Sequence, residues 1–139
     1  MARILAIDYG SKRVGIAVTD PLKMIATGLT TVHSKDVIQF IKDYMAKEQV
    51  DAFVLGEPKR LNNTDTDATR LVNAFLNLLK KTFPDMPIHR IDERFTSKMA
   101  SQAIIMSGVK KKGRRDKALV DVVSATIILQ SYLETQTFF

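Results

Sequence analysis

The chain has 139 residues, 45% of them hydrophobic, and a formal net charge of +6. That is the size of one domain, expected over residues 1–139, with an ordinary core, and the charge fits either a polyanionic partner such as nucleic acid or a merely soluble basic surface. The absence of cysteine excludes disulfides, thiolate metal sites and thiol nucleophiles together and suits a reducing, cytoplasmic setting, while no apolar run approaches the length of a membrane span.

The N-terminus opens a strand rather than a signal peptide, because its short apolar run Ile4–Ile7 is broken by Asp8. Gly10-Ser11-Lys12 punctuates like a turn, and Val14–Val18 returns as a second strand, with Gly15 where a side chain would be in the way. Asp20-Pro21-Leu22 is a turn into a third strand over 25–32, rich in threonine. Ser34 is the expected N-cap of a helix whose apolar positions are Val37, Ile38, Ile41, Tyr44 and Met45. A short buried strand follows over Asp51–Gly56, then a polar loop from Glu57 to Thr64. Thr64 or Asp65 caps a second helix, whose stripe is Ala68, Leu71, Val72, Phe75, Leu76 and Leu79 and which stops before Phe83-Pro84. Pro87–Asp92 reads as a strand, Thr96 or Ser97 starts a helix closed by Gly108, 110–117 is a basic loop, and a last helix runs from about Lys117 to Glu134.

Three strands in a meander followed by alternating helices and strands make a mixed five-stranded sheet covered by helices, an α/β fold. Ligands of such sheets sit beyond the carboxyl ends of the strands. Asp8, Glu57 and Asp92-Glu93 each follow an apolar strand, so parallel neighbours would gather these acids at one edge. Asp121 precedes Ala125, Ile128 and Tyr132 at helical steps, which turns its carboxylate toward the protein body. An acid there requires a partner. That partner is an ion pair with Lys12 or Arg94, a hydrogen bond to a turn, or a metal shared with Asp8 and Glu93. Oxygen-only ligands suit Mg²⁺ or Mn²⁺ rather than zinc. Asp92 and Glu93 point to opposite faces of a strand, so Glu93 is preferred for the site and Asp92 is left orienting or structural. Asp116 reads as an N-cap, and Glu57 is either a further ligand or a solvated loop acid. Lys110, Lys111, Lys112, Arg114, Arg115 and Lys117 could track a phosphate backbone or form a solvated tether. His33 and His89 are assigned no catalytic part.

The segment Ile7-Asp8-Tyr9-Gly10-Ser11-Lys12-Arg13-Val14-Gly15-Ile16-Ala17 closely resembles the opening of the YqgF family, the pre-16S ribosomal RNA nucleases also described as Holliday-junction-resolvase-like. Gly56-Glu57-Pro58, Asp92-Glu93-Arg94-Phe95-Thr96 and the helix from Asp121 to Leu133 resemble its later motifs in the same order. Glu57 replaces a usual apolar residue, and Ser124 a usual alanine. The resemblance implies a ribonuclease H-like fold and metal-dependent phosphodiester hydrolysis, with catalytic and metal-binding roles on Asp8, Glu93 and Asp121. The mechanism it implies uses two Mg²⁺ ions about 4 Å apart, with Lys12, Arg13, Arg94 and the basic loop gripping the strand by its phosphates. The implied substrate is precursor 16S rRNA, with branched DNA as the alternative and either a monomer or a homodimer as the acting species. Two other classes compete. Asp8-x-Gly10 with Gly15 also resembles the phosphate loop of actin-like kinases, and the same basic face would serve a non-catalytic ribosome-assembly factor.

Overall fold

The opening hairpin forms where the Gly10-Ser11-Lys12 turn permits it. In this computed structural model, which describes residues 2–57, 67–92 and 117–136, β1 (Arg3–Tyr9) and β2 (Arg13–Thr19) pair antiparallel with Asp8 opposite Gly15. Gly10 donates its N–H to the Arg13 carbonyl at 3.0 Å, and a Cβ at position 10 would lie 2.7 Å from that same oxygen. Only glycine lets the turn close so tightly. At the other end of β2, the Asp20 carboxylate accepts the backbone N–H groups of Leu22, Met24 and Ile25 at 2.8–3.2 Å. These bonds lower its pKa, that from Ile25 most. They fold the loop that turns the chain into β3 (Ala26–His33).

Next come α1 (Val37–Lys47), β4 (Val50–Glu57), α2 (Asp67–Thr82), β5 (Ile88–Asp92) and α3 (Lys117–Gln136). The sheet order is β3-β2-β1-β4-β5, with β4 parallel to β1 and β5 parallel to β4. This is the expected mixed five-stranded α/β sheet. The carboxyl ends of β1, β4 and β5 therefore share one edge.

The two faces are packed differently. Leu5, Ile7, Val14, Ile16, Phe53 and Leu55 form one core with Val37 and Ile41 of α1 and Val72, Phe75 and Leu79 of α2. The other face offers Ile4, Ala6, Ala17, Ala52 and Val54 to Ala125, Ile128, Leu129 and Tyr132 of α3. On α3 the helical spacing after Asp121 marks buried positions, as expected. On α2 the expected stripe is narrower: Leu71 is 45% exposed, because the buried positions 72, 75 and 79 already fill the contact with the sheet.

Ser34 does not cap α1. The N-cap is Asp36, which makes no side-chain cap bond. Ser34 instead donates its hydroxyl to the Ser11 carbonyl at 2.8 Å and its N–H to the Lys12 carbonyl at 3.2 Å. It braces the β1–β2 turn from across the chain. The expected cap of α2 at 64–65, the helix over 96–107 and the basic loop up to Asp116 lie outside the described residues.

Candidate functional site

Asp8 is half-buried near the end of β1. Side chains alternate along a strand, so Asp8 shares a face with Ile4 and Ala6, the face covered by α3. Its register partner Gly15 shares that face, because directly opposed residues of an antiparallel pair point the same way, with Cα atoms about 5 Å apart. The helix comes down at this point. A Cβ on Gly15 would collide with the Asp121 backbone carbonyl and lie 3.1 Å from the Asp121 Cβ. Asp121 thus stands directly over the strand position paired with Asp8. Gly28, paired with Ala17 on the next strand, repeats the device one step along α3, where a Cβ would collide with Val122. An isolated glycine inside a strand signals such a close approach, and Gly28 carries that signal in the sequence.

Arg13 stands two residues before Gly15 and so on the same face. Its Nε–H donates to Asp121 Oδ2 at 2.9 Å; the two side chains are 43% and 20% exposed. Among the described residues the ion-pair partner of Asp121 is therefore Arg13, the adjacent strand cation, and not Lys12; Arg94, the other cation expected there, lies outside them. Lys12 is exposed in the hairpin turn.

The remaining acids of this edge divide by face. Glu57 continues the alternation of Phe53 and Leu55, which belong to the α1–α2 side, and Asp92 is its register partner on β5. Both lie on the opposite face of the sheet from Asp8. Glu93, Arg94, Lys110, Lys111, Lys112, Arg114, Arg115 and Asp116 fall outside the described residues, and Lys117 opens α3. His89 stacks on Tyr132 with ring centroids 4.8 Å apart, and His33 Nδ1 accepts the Lys35 N–H. Each histidine thus has a structural partner.

Among the described residues no group of three or more His, Cys, Asp and Glu side chains is gathered to hold a metal. Asp8 and Asp121 supply two hard carboxylates on one face, in a cradle that a side chain at position 15 would fill. That donor set fits an oxygen-preferring divalent cation, with a third ligand still to be supplied from beyond them.

Residues 2–135 match the profile of a family described as RuvX, Holliday junction resolvase. The chain belongs to this family. It is similar to proteins named "Putative pre-16S rRNA nuclease" in Christiangramia forsetii, at 58% identity over 96% of this chain and 98% of the relative, and in Flavobacterium psychrophilum, at 56% over 96% and 97%. Among solved structures, RuvC of Thermus thermophilus in complex with Holliday junction substrate superposes with a TM-score of 0.59 at 13% identity, covering 99% of this chain and 97% of that one. A second structure of RuvC from that organism gives 0.54. The fold of this RuvX chain is accordingly the RuvC, ribonuclease H-like fold. Among the described residues no helix is long and apolar enough to cross a membrane.

Proposed function

We propose that this RuvX chain acts as one domain over residues 1–139 and is a cytoplasmic, divalent-metal-dependent endonuclease of structured nucleic acid. Its proposed main substrate is precursor 16S rRNA, cut toward the 5′ end. The single observation that carries this reading is the meeting of Asp8 and Asp121 across Gly15. Two acids 113 positions apart in the chain are set on one face of one sheet edge, where this fold class receives ligands. The names carried by relatives more than half identical over nearly their whole length support the RNA substrate.

Asp8, Asp121 and Glu93 are proposed to hold Mg²⁺ or Mn²⁺. The bound cation would supply an activated water and charge stabilisation for an in-line displacement. Glu93 is preferred over its sequence neighbour Asp92 because Asp92 lies on the opposite face of the sheet from Asp8. The same placement argues against Glu57 as a ligand. Lys12, Arg13, Arg94 and the run Lys110, Lys111, Lys112, Arg114, Arg115 and Lys117 would hold the strand by its phosphates, which positions it without reading its sequence.

The test is a substrate panel under Mg²⁺ and Mn²⁺: precursor 16S rRNA, a four-way DNA junction and unstructured single strands. Preferential cleavage of the precursor, lost with Asp8→Asn or Asp121→Asn, is the expected result. Preference for the junction would favour resolution of branched DNA, in line with the family's description. Binding without hydrolysis under either metal would leave a non-catalytic assembly factor.

A further inference from the structure

We infer that Arg13 is the resident counter-ion of Asp121, displaced from it when a divalent cation binds, so that guanidinium and metal compete for one carboxylate. The inference rests on the metal reading of Asp8 and Asp121 given above. The pair is short: Nε to Oδ2 is 2.9 Å, within the range of charge-assisted bonds. Among the described residues it runs through Nε alone, and it is not the two-pronged fork that makes arginine–carboxylate pairs strong. With Arg13 43% exposed, water screens the attraction, and such pairs contribute little.

Two carboxylates beside each other in the cradle repel unless a cation sits between or beside them. Arg13 supplies such a charge to Asp121. It cannot leave by losing its proton, since guanidinium stays charged at any working pH. It can leave only by swinging away, and its solvent-facing side leaves room for that. Once swung, it stands beside the acids with a planar fork that matches a phosphate group. Metal binding would then convert an internal counter-ion into a substrate-positioning residue.

The experiment measures Mn²⁺ binding to metal-free protein by electron paramagnetic resonance, with no substrate present. Arg13→Gln should bind Mn²⁺ more tightly than the unaltered chain, by roughly three- to tenfold, because a competing charge has gone. Arg13→Lys should bind like the unaltered chain, because the charge remains. A parallel Mg²⁺ titration followed by NMR should move the Arg13 Nε–H resonance out of its paired position as the cation saturates. Unchanged or weaker Mn²⁺ affinity in Arg13→Gln would overturn the inference while leaving the metal site intact. So would tightening of equal size in Arg13→Lys, or a stationary Nε–H signal at saturation. Absence of saturable Mn²⁺ binding in the unaltered chain would overturn the metal reading itself, and the inference with it.

Discussion

The two faces of the sheet use opposite packing strategies. Against α1 and α2 the strands present Leu5, Ile7, Ile16, Phe53 and Leu55, all fully buried. Against α3 they present Ile4 and Val54 interspersed with the small residues Ala6, Gly15, Ala17, Gly28 and Ala52. Large side chains bury more apolar surface and contribute more stability, but they hold a helix away from the sheet. Small ones give up burial and let the helix backbone come down onto the strands. On this second face a helix acid, Asp121, stands over the strand position paired with Asp8. The difference between the faces is a division between apolar burial and close approach of helix to strand, and the proposed site lies on the second.

That division can be broken from either side. The largest expected effect is chemical. Asp8→Asn should lower metal-dependent cleavage by about 10³-fold, equivalent to about 4 kcal/mol of barrier, with the thermal midpoint nearly unchanged. Next is Phe53→Ala on the other face. It should cost about 3–5 kcal/mol in a denaturant titration, while cleavage per folded molecule stays near that of the unaltered chain. Gly15→Ala sharpens the contrast, because it should do both. The added methyl pushes α3 away, for about 1–3 kcal/mol of overpacking, and displacing Asp121 by even an ångström should reduce cleavage by about 100-fold.

The smallest effect lies at the far edge, in the β2–β3 loop. The backbone N–H groups of Ile25, Met24 and Leu22 hold the Asp20 carboxyl below its ordinary value of 3.8. A carboxyl with a depressed folded-state pKa contributes stability above its unfolded value. That contribution is lost as pH falls through the folded value. Asp20→Asn should therefore lower the thermal midpoint slightly at neutral pH, with the difference from the unaltered chain vanishing in acid. Cleavage at neutral pH should not change.

Much of this architecture is legible in the sequence because it depends on local pattern. Apolar runs ended by Asp8, Glu57 and Asp92 mark strand ends, and the helical steps after Asp121 mark its buried stripe. Gly15 is recognisable as a place where a side chain would obstruct. Four features escape because they are set by tertiary contact. Ser34 reads as a helix cap by residue type, yet its bonds go to the turn at Ser11 and Lys12, which only the folded hairpin brings within reach. Leu71 fits the α2 stripe by spacing but lies at its margin, because positions 72, 75 and 79 already fill the contact with the sheet. The Arg13–Asp121 pair joins residues whose proximity follows only from the register of β2 under α3. Which face Glu57 and Asp92 occupy likewise requires the pairing of β4 with β5.

The most direct test of the central claim is paramagnetic broadening of backbone amide signals by substoichiometric Mn²⁺. If Asp8 and Asp121 share a cation across Gly15, the amides of Asp8, Gly15 and Asp121 should broaden first and together, those of Asp20 and Asp51 should stay sharp, and Asp8→Asn should abolish the effect. Broadening centred elsewhere, or persisting unchanged in Asp8→Asn, would contradict it.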